Sequence, residues 1–164
     1  MGYVSDIRAR IGHAPLMIVG ASVIVVNDRG ETLLQRRVDN GLWGYHGGCT
    51  ELYERVEDAA RREMHEETGL TADSMTLLGV FSGPEMAYTY PNGDQACVVD
   101  TVFLCDSFHG EMRMQAEEVS ELKWFAPSAL PPDITPTCKP ALYRWAGKDR
   151  ERGTAPFRSR SVMV

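Results

Sequence analysis

Three glutamates, Glu63, Glu66 and Glu67, crowd into five residues directly ahead of a Thr68-Gly69 stop. On a helix turning 100° per residue they share an arc of roughly 100°. Val56 and Ala60 fall in or beside that arc, whereas Asp58, Arg61 and His65 fall opposite. The carboxylates therefore end a stripe that begins as core. Like charges at these spacings cost a helix a few tenths of a kcal/mol per pair. They also lie near the negative end of the macrodipole. Neither cost has a structural purpose. Hard oxygens that face inward suit Mg²⁺ or Mn²⁺. On spacing alone, a solvated acidic patch balanced by Arg61 and Arg62 serves as well.

The elements around this segment are readable from pattern. Tyr3 to Ile11 can form a short amphipathic helix. Leu16 to Val26 is almost wholly apolar and rich in β-branched residues, and reads as a strand buried on both faces. Asn27 to Gly30 is a turn, with Glu31 to Arg37 as the return strand of a hairpin. A second turn at Asn40-Gly41 precedes Leu42 to Gly48. The helix then starts near the acids Glu57 and Asp58 and is capped by Gly69. Met75 to Gly83, Gln95 to Phe108 and Ser120 to Ala126 are strand-like, with Tyr90 to Asp94 as the turn between the first two. Pro131 to Pro136 breaks the pattern, and Pro140 to Ala146 reads as a last helix. The sum is an α+β chain, an α/β/α sandwich around a mixed sheet. We expect one domain over 1–164, with its core at about 12–146 and a polar, basic tail over 147–164.

Acidic residues outnumber Lys and Arg by 23 to 17, a net charge of -6, which argues against a broad nucleic-acid surface. A phosphate substrate stays open, because a bound divalent ion reverses the local sign. No apolar run reaches the ~20 residues of a membrane span. The start has no signal-peptide pattern. Cys49, Cys97, Cys105 and Cys138 are scattered, without a CxxC pair, and read as buried, reduced thiols of a cytoplasmic protein.

The spacing from Gly48 to Leu70 adds more. Gly48, five residues, Glu54, seven residues, then Arg62-Glu63-Met64-His65-Glu66-Glu67-Thr68-Gly69-Leu70 resembles the signature box of the Nudix hydrolases. Every charged and glycine position agrees, and Met64 stands where Ile, Leu or Val is usual. The similarity in order of elements runs from about Gly12 to Trp124. The resemblance implies a Nudix-type fold whose box forms a loop-helix-loop. It implies an enzyme that cleaves a diphosphate linkage in a nucleoside diphosphate derivative such as ADP-ribose, a dinucleoside polyphosphate or a nucleotide sugar, with Mg²⁺ or Mn²⁺. It also admits a nucleoside triphosphate or RNA 5′-end pyrophosphohydrolase, or a silent Nudix fold used as a sensor. By position, it assigns Glu63, Glu66, Glu67 and the carbonyl of Gly47 to the metal, and Arg62 and Glu54 to bracing the loop. Glu118, in the loop before a late strand, is the further metal-linked acid it suggests. Small nucleotides are the partners implied, and homodimers are common in the family.

The chain departs from the family pattern in places. His46 stands where Pro usually precedes Gly-Gly, adding a titratable ring that could touch substrate phosphate. Tyr53 and Arg55 stand where Gly and Ser flank the box glutamate, so the helix lacks a good N-cap. For the substrate, Pro84 resembles the proline of ADP-ribose pyrophosphatases and Tyr88 the tyrosine of diadenosine polyphosphate hydrolases. Trp43, Phe81, Tyr88 and Tyr90 are candidates for stacking on a base. Arg36 or Arg37, but by strand alternation not both, is placed to grip a phosphate.

Overall fold

The computed structural model describes residues 2–148. Its frame is one mixed sheet of eight strands. Strand β1 (Leu16–Val26) runs through the middle, parallel to β7 (Gln95–His109) over ten paired residues. β7 is flanked by β5 (Thr71–Phe81) and by the short β6 (Ala87–Thr89), both antiparallel. On the other side, β2 (Thr32–Arg37) meets β1 antiparallel at Val25 and Val26, leaves it to pair with β3 (Trp43–Gly44), and pairs with β8 (Val119–Phe125) along its whole length. That divergence leaves Gly20 to Val23, in the middle of β1, free to pair with β4 (His46–Cys49).

A helix covers each face. Helix α2 (Val56–Thr68) presses Ala59, Ala60 and Met64 onto Ala21, Val23, Val25 and Phe103. Helix α3 (Lys139–Trp145) presses Ala141 and Leu142 onto the opposite face, against Ile24, Leu34 and Val102. This is the layered α/β/α arrangement expected from the pattern. Helix α1 (Tyr3–Ile11) forms as expected but buries no residue fully. Arg8 anchors it, donating to the carbonyls of Gly12, Ala14 and Gln95. Among the described residues, no helix is long and apolar enough to cross a membrane.

Several expectations need correction. β1 is not buried on both faces throughout: Met17 is 71% and Val19 49% exposed, because α2 covers only the far half of the strand. β5 starts at Thr71, four residues before the expected Met75, because the chain leaves the Gly69 cap directly into pairing with His109. The 90–94 turn joins β7 not to β5 but to β6, a strand too short to show a period. The segment after the Asn40-Gly41 turn, to which the pattern assigned no element, holds the two short strands β3 and β4. Cys97 is exposed, and only Cys105 is fully buried, although all four cysteines are free as expected. The last helix matches within one residue, and Gly147 and Lys148 still bond its end. The remainder of the expected tail lies outside the described residues.

Candidate active site

The site grows from the junction of β4 and α2. Strand β4 lies on β1 with Gly47 opposite Ser22 and Gly48 opposite Ala21, so the Gly-Gly pair is flat backbone on the sheet. A Cβ on Gly48 would stand 2.5 Å from the Glu63 carboxyl, and one on Gly47 would stand 2.3 Å from Ser22 Oγ. Glycine at both places lets α2 bring its carboxylates against the loop. The helix ends where Gly69 turns left-handed (φ 73°) and donates its N–H to His65 O.

Along α2 the three glutamates occupy three depths. Glu67 is buried at 3% exposure, and its Oε2 accepts the Gly47 N–H at 3.1 Å. Glu63 is half-buried. Glu66 lies at the rim, with its side chain 52% exposed. Asp58, Arg61 and His65 are exposed, as the helical arc predicts. Arg62 ties the loop to the helix. Its Nε and Nη2 donate to Glu54 Oε1 and Oε2 at 2.9 and 3.0 Å. Its Nη1 donates to Glu63 Oε1 at 2.6 Å and reaches Glu66 Oε2 at 3.3 Å. Glu54 Oε2 also accepts the Glu51 N–H at 3.0 Å, which closes the loop on itself. These bonds hold the Glu54 carboxyl below the usual carboxylate range and raise the Arg62 guanidinium further. Burial pushes the Glu63 acid up, partly offset by Arg62, and the charges of Glu67 and Glu66 push it up as well.

Three carboxylates, Glu54, Glu63 and Glu66, thus surround one guanidinium, and Glu67 lies buried beyond them; all are hard oxygen donors, with negative charge in excess. That donor set suits a divalent cation. Among the described residues, no three His, Cys, Asp or Glu side chains close into a metal cage. The reason is visible: Arg62 engages Glu63 and Glu66 in this arrangement. Glu118 is exposed at the foot of β8, where its carbonyl accepts the Val38 N–H. No hydrogen bond or ion pair joins its side chain to the box glutamates.

His46 is not where a phosphate contact would place it. Its ring is fully buried, with Nδ1 3.4 Å from Glu67 Oε2 and, among the described residues, neither ring nitrogen hydrogen-bonded.

Beside the box, on the sheet face away from α2, lies a cleft. It opens against Gly47, Gly48 and Cys49 and is walled by Met86, Tyr88 and Tyr90. The two tyrosine rings meet edge-on at 4.9 Å, and Asn40 Nδ2 donates to Tyr88 Oη at 3.0 Å. Arg37 lines this cleft and is held by a two-point bond to Asp39. Arg36 points elsewhere: its Nε donates to Gly41 O and its guanidinium lies 6.0 Å from the Trp43 ring. Alternation along β2 separates the two arginines, as expected. Of the four stacking candidates, Tyr88 and Tyr90 line the cleft, whereas Trp43 and Phe81 pack in the core under α3.

Sequence reasoning missed the floor of the cleft. Asp100 is buried at 5% exposure in β7. Its Oδ1 accepts from Ser22 Oγ at 2.9 Å and its Oδ2 from Tyr45 Oη at 2.8 Å. Burial raises its pKa, and the Tyr45 and Ser22 hydrogen bonds work against that rise. One signal was available: a lone acid interrupting the apolar run from Ala96 to Cys105.

Comparison with known proteins agrees with this geometry. A family model described as the NUDIX domain matches residues 17–146. A Bacillus subtilis (strain 168) protein, provisionally named an 8-oxo-dGTP diphosphatase, is 33% identical over 120 residues, 73% of this chain and 74% of that one. An ADP-ribose pyrophosphatase of Methanocaldococcus jannaschii is 34% identical over 110 residues, 65% of this chain and 61% of that one. Among solved structures, a MutT NUDIX hydrolase from Burkholderia pseudomallei superposes with a TM-score of 0.67 at 33% identity, covering 79% of this chain and 98% of that one.

Proposed function

The chain belongs to the NUDIX family and is a hydrolase of it, and from that premise we propose that it cleaves, with Mg²⁺, the diphosphate linkage of a nucleoside diphosphate derivative such as ADP-ribose, a dinucleoside polyphosphate or a nucleotide sugar. One observation carries this reading. Glu67, Glu63 and Arg62 stand against the Gly47–Cys49 backbone, Arg62 gathers Glu54 and Glu66 to them, and that same backbone lines an aromatic cleft. A diphosphate seated over the glycines would place its nucleoside in the cleft.

The family generally uses divalent metal ions. Glu63, Glu66, Glu67 and the carbonyl of Gly47 would hold the ion here, with Glu118 as the added acid. Such an ion neutralises phosphate oxygens and lowers the pKa of a bound water. The chain's own residues do the rest. Arg62 and Glu54 brace the loop against the helix that carries the carboxylates. The Gly47 N–H orients Glu67. Tyr88 offers a face to the base, and Arg37 a guanidinium to a phosphate. A carboxylate at the open side takes the proton of the attacking water.

The similarity to the Bacillus subtilis protein favours a second reading, hydrolysis of a nucleoside triphosphate at the same site. Chromatography of products from a panel of ADP-ribose, diadenosine polyphosphates, nucleotide sugars and nucleoside triphosphates separates the two. A monophosphate with a sugar phosphate or second nucleotide supports the first reading. A monophosphate with pyrophosphate supports the second. No metal-dependent product from any member counts against both.

A further inference from the structure

His46 is an unusual side chain for its place. It stands opposite Val23 of β1, so its ring shares the face of the sheet that α2 covers. The layer there is apolar, built from Val23, Val25, Leu33, Ala60 and Met64. The ring has no exposure, and among the described residues neither of its nitrogens is hydrogen-bonded. Burying two polar atoms in this way costs stability, and a leucine would fill the place without that cost. Packing therefore gives no reason for histidine. Proline, which the resemblance leads one to expect here, has no side-chain donor.

One of the two nitrogens has a charged neighbour. Nδ1 stands 3.4 Å from Oε2 of Glu67, a side chain as deeply buried as its own. The N–H of the next residue, Gly47, donates to that same oxygen at 3.1 Å. Two consecutive residues of β4 thus address one oxygen of one buried carboxylate, and among the described residues no donor engages Oε1. A carboxylate accepts and has no proton to give, so the contact is favourable with the ring proton on Nδ1. Its length exceeds that of a fully formed N–H···O bond and is short enough for the ring to bias where Oε2 lies.

We propose that His46 is a positioning residue whose Nδ1–H, with the Gly47 N–H, holds Oε2 of Glu67 and leaves Oε1 to ligate the metal, an inference that rests on the reading of Glu67 as a metal ligand. Carboxylates that bind metals are themselves oriented by hydrogen-bond donors. Glu63 and Glu66 have such a donor in Arg62. Glu67 lies beyond those bonds, and His46 serves it instead.

The test compares the full chain with His46→Leu, His46→Asn and His46→Gln. Mn²⁺ affinity is measured by electron paramagnetic resonance, and kcat and KM at one fixed Mg²⁺ concentration. Leucine keeps the volume and removes the donor. The asparagine amide nitrogen falls where Nδ1 stands, whereas the longer glutamine carries its amide toward the place of Nε2. The Mn²⁺ dissociation constant should rise about tenfold or more in His46→Leu and His46→Gln, the usual cost of losing such a donor, and stay within about threefold of the parent in His46→Asn. kcat should follow the same order and KM move less, because His46 does not touch substrate. A packing role predicts the reverse order, since leucine suits the apolar layer best. Unchanged affinity in His46→Leu, or an asparagine variant as weak as leucine, overturns the assignment. Should His46→Leu fail to fold by circular dichroism, the contrast between asparagine and glutamine decides, and equal affinities overturn it. Glu67→Gln, measured alongside, separates this inference from the reading beneath it. A parent that binds Mn²⁺ no more tightly than Glu67→Gln contradicts Glu67 as a ligand and the His46 assignment with it. Weaker binding in Glu67→Gln with none lost in His46→Leu overturns the His46 assignment alone and leaves the metal site standing.

Discussion

Gly48 and Glu63 stand so close that a single methyl on the glycine would lie 2.5 Å from the carboxyl. The obstructing atoms are the far end of a flexible side chain, so the clash can be relieved by swinging Glu63 aside. Gly48→Ala should therefore leave stability within about 1 kcal/mol. It should lower kcat/KM by roughly ten- to a hundredfold, the usual cost of disturbing the surroundings of a metal ligand. Thermal melts and steady-state kinetics on the same preparation check both halves.

Glu63 itself is held in an uncomfortable state without metal. Its folded-state pKa is raised, by burial first and then by Glu67 and Glu66. The sign follows. Above the folded-state pKa the ionised acid destabilises the fold, and that penalty disappears as pH falls below the ordinary carboxylate range. Metal-free Glu63→Gln should thus melt higher than the parent at neutral pH, and the gap should close in acid. A lower melting temperature at neutral pH would show that the Arg62 bond outweighs the burial.

Tyr53 carries positive φ (67°) while its side chain is wholly exposed. A non-glycine residue there costs ~1–2 kcal/mol, part of which glycine returns as unfolded-state entropy. Tyr53→Gly should stabilise the protein by roughly 0.5–1 kcal/mol. Urea unfolding with unchanged m-value would measure it.

Tyr88 presents its ring to the cleft, and Asn40 fixes its hydroxyl. If a base stacks there, Tyr88→Ala should raise KM about tenfold, with a smaller change in kcat, since such stacking is worth ~1–3 kcal/mol. An unchanged KM would return Tyr88 to packing.

Much of this architecture was legible because its signals are local. The apolar, β-branched-rich run of β1, the Gly69 stop and the box spacing each depend on residues a few positions apart. The glutamate arc on α2 also followed from helical period alone, including the exposure of Asp58, Arg61 and His65. What escaped depends on contacts distant in sequence. Asp100 meets Ser22 and Tyr45 across 78 and 55 residues, and no spacing rule announces that meeting. His46 looked available to substrate until β4 turned its ring beneath Glu67. The early exposure of β1 depends on how far α2 reaches, which strand composition does not encode.

We propose above all that the α2 carboxylates drive metal-dependent cleavage of a diphosphate. Its most direct test compares the wild-type protein with Glu67→Gln, assayed with and without Mg²⁺ on whichever panel substrate turns over. The account predicts monophosphate release that requires the metal and falls by orders of magnitude in the variant, with the fold intact by circular dichroism. Turnover in Glu67→Gln close to that of the parent, or turnover that ignores the metal, would contradict it.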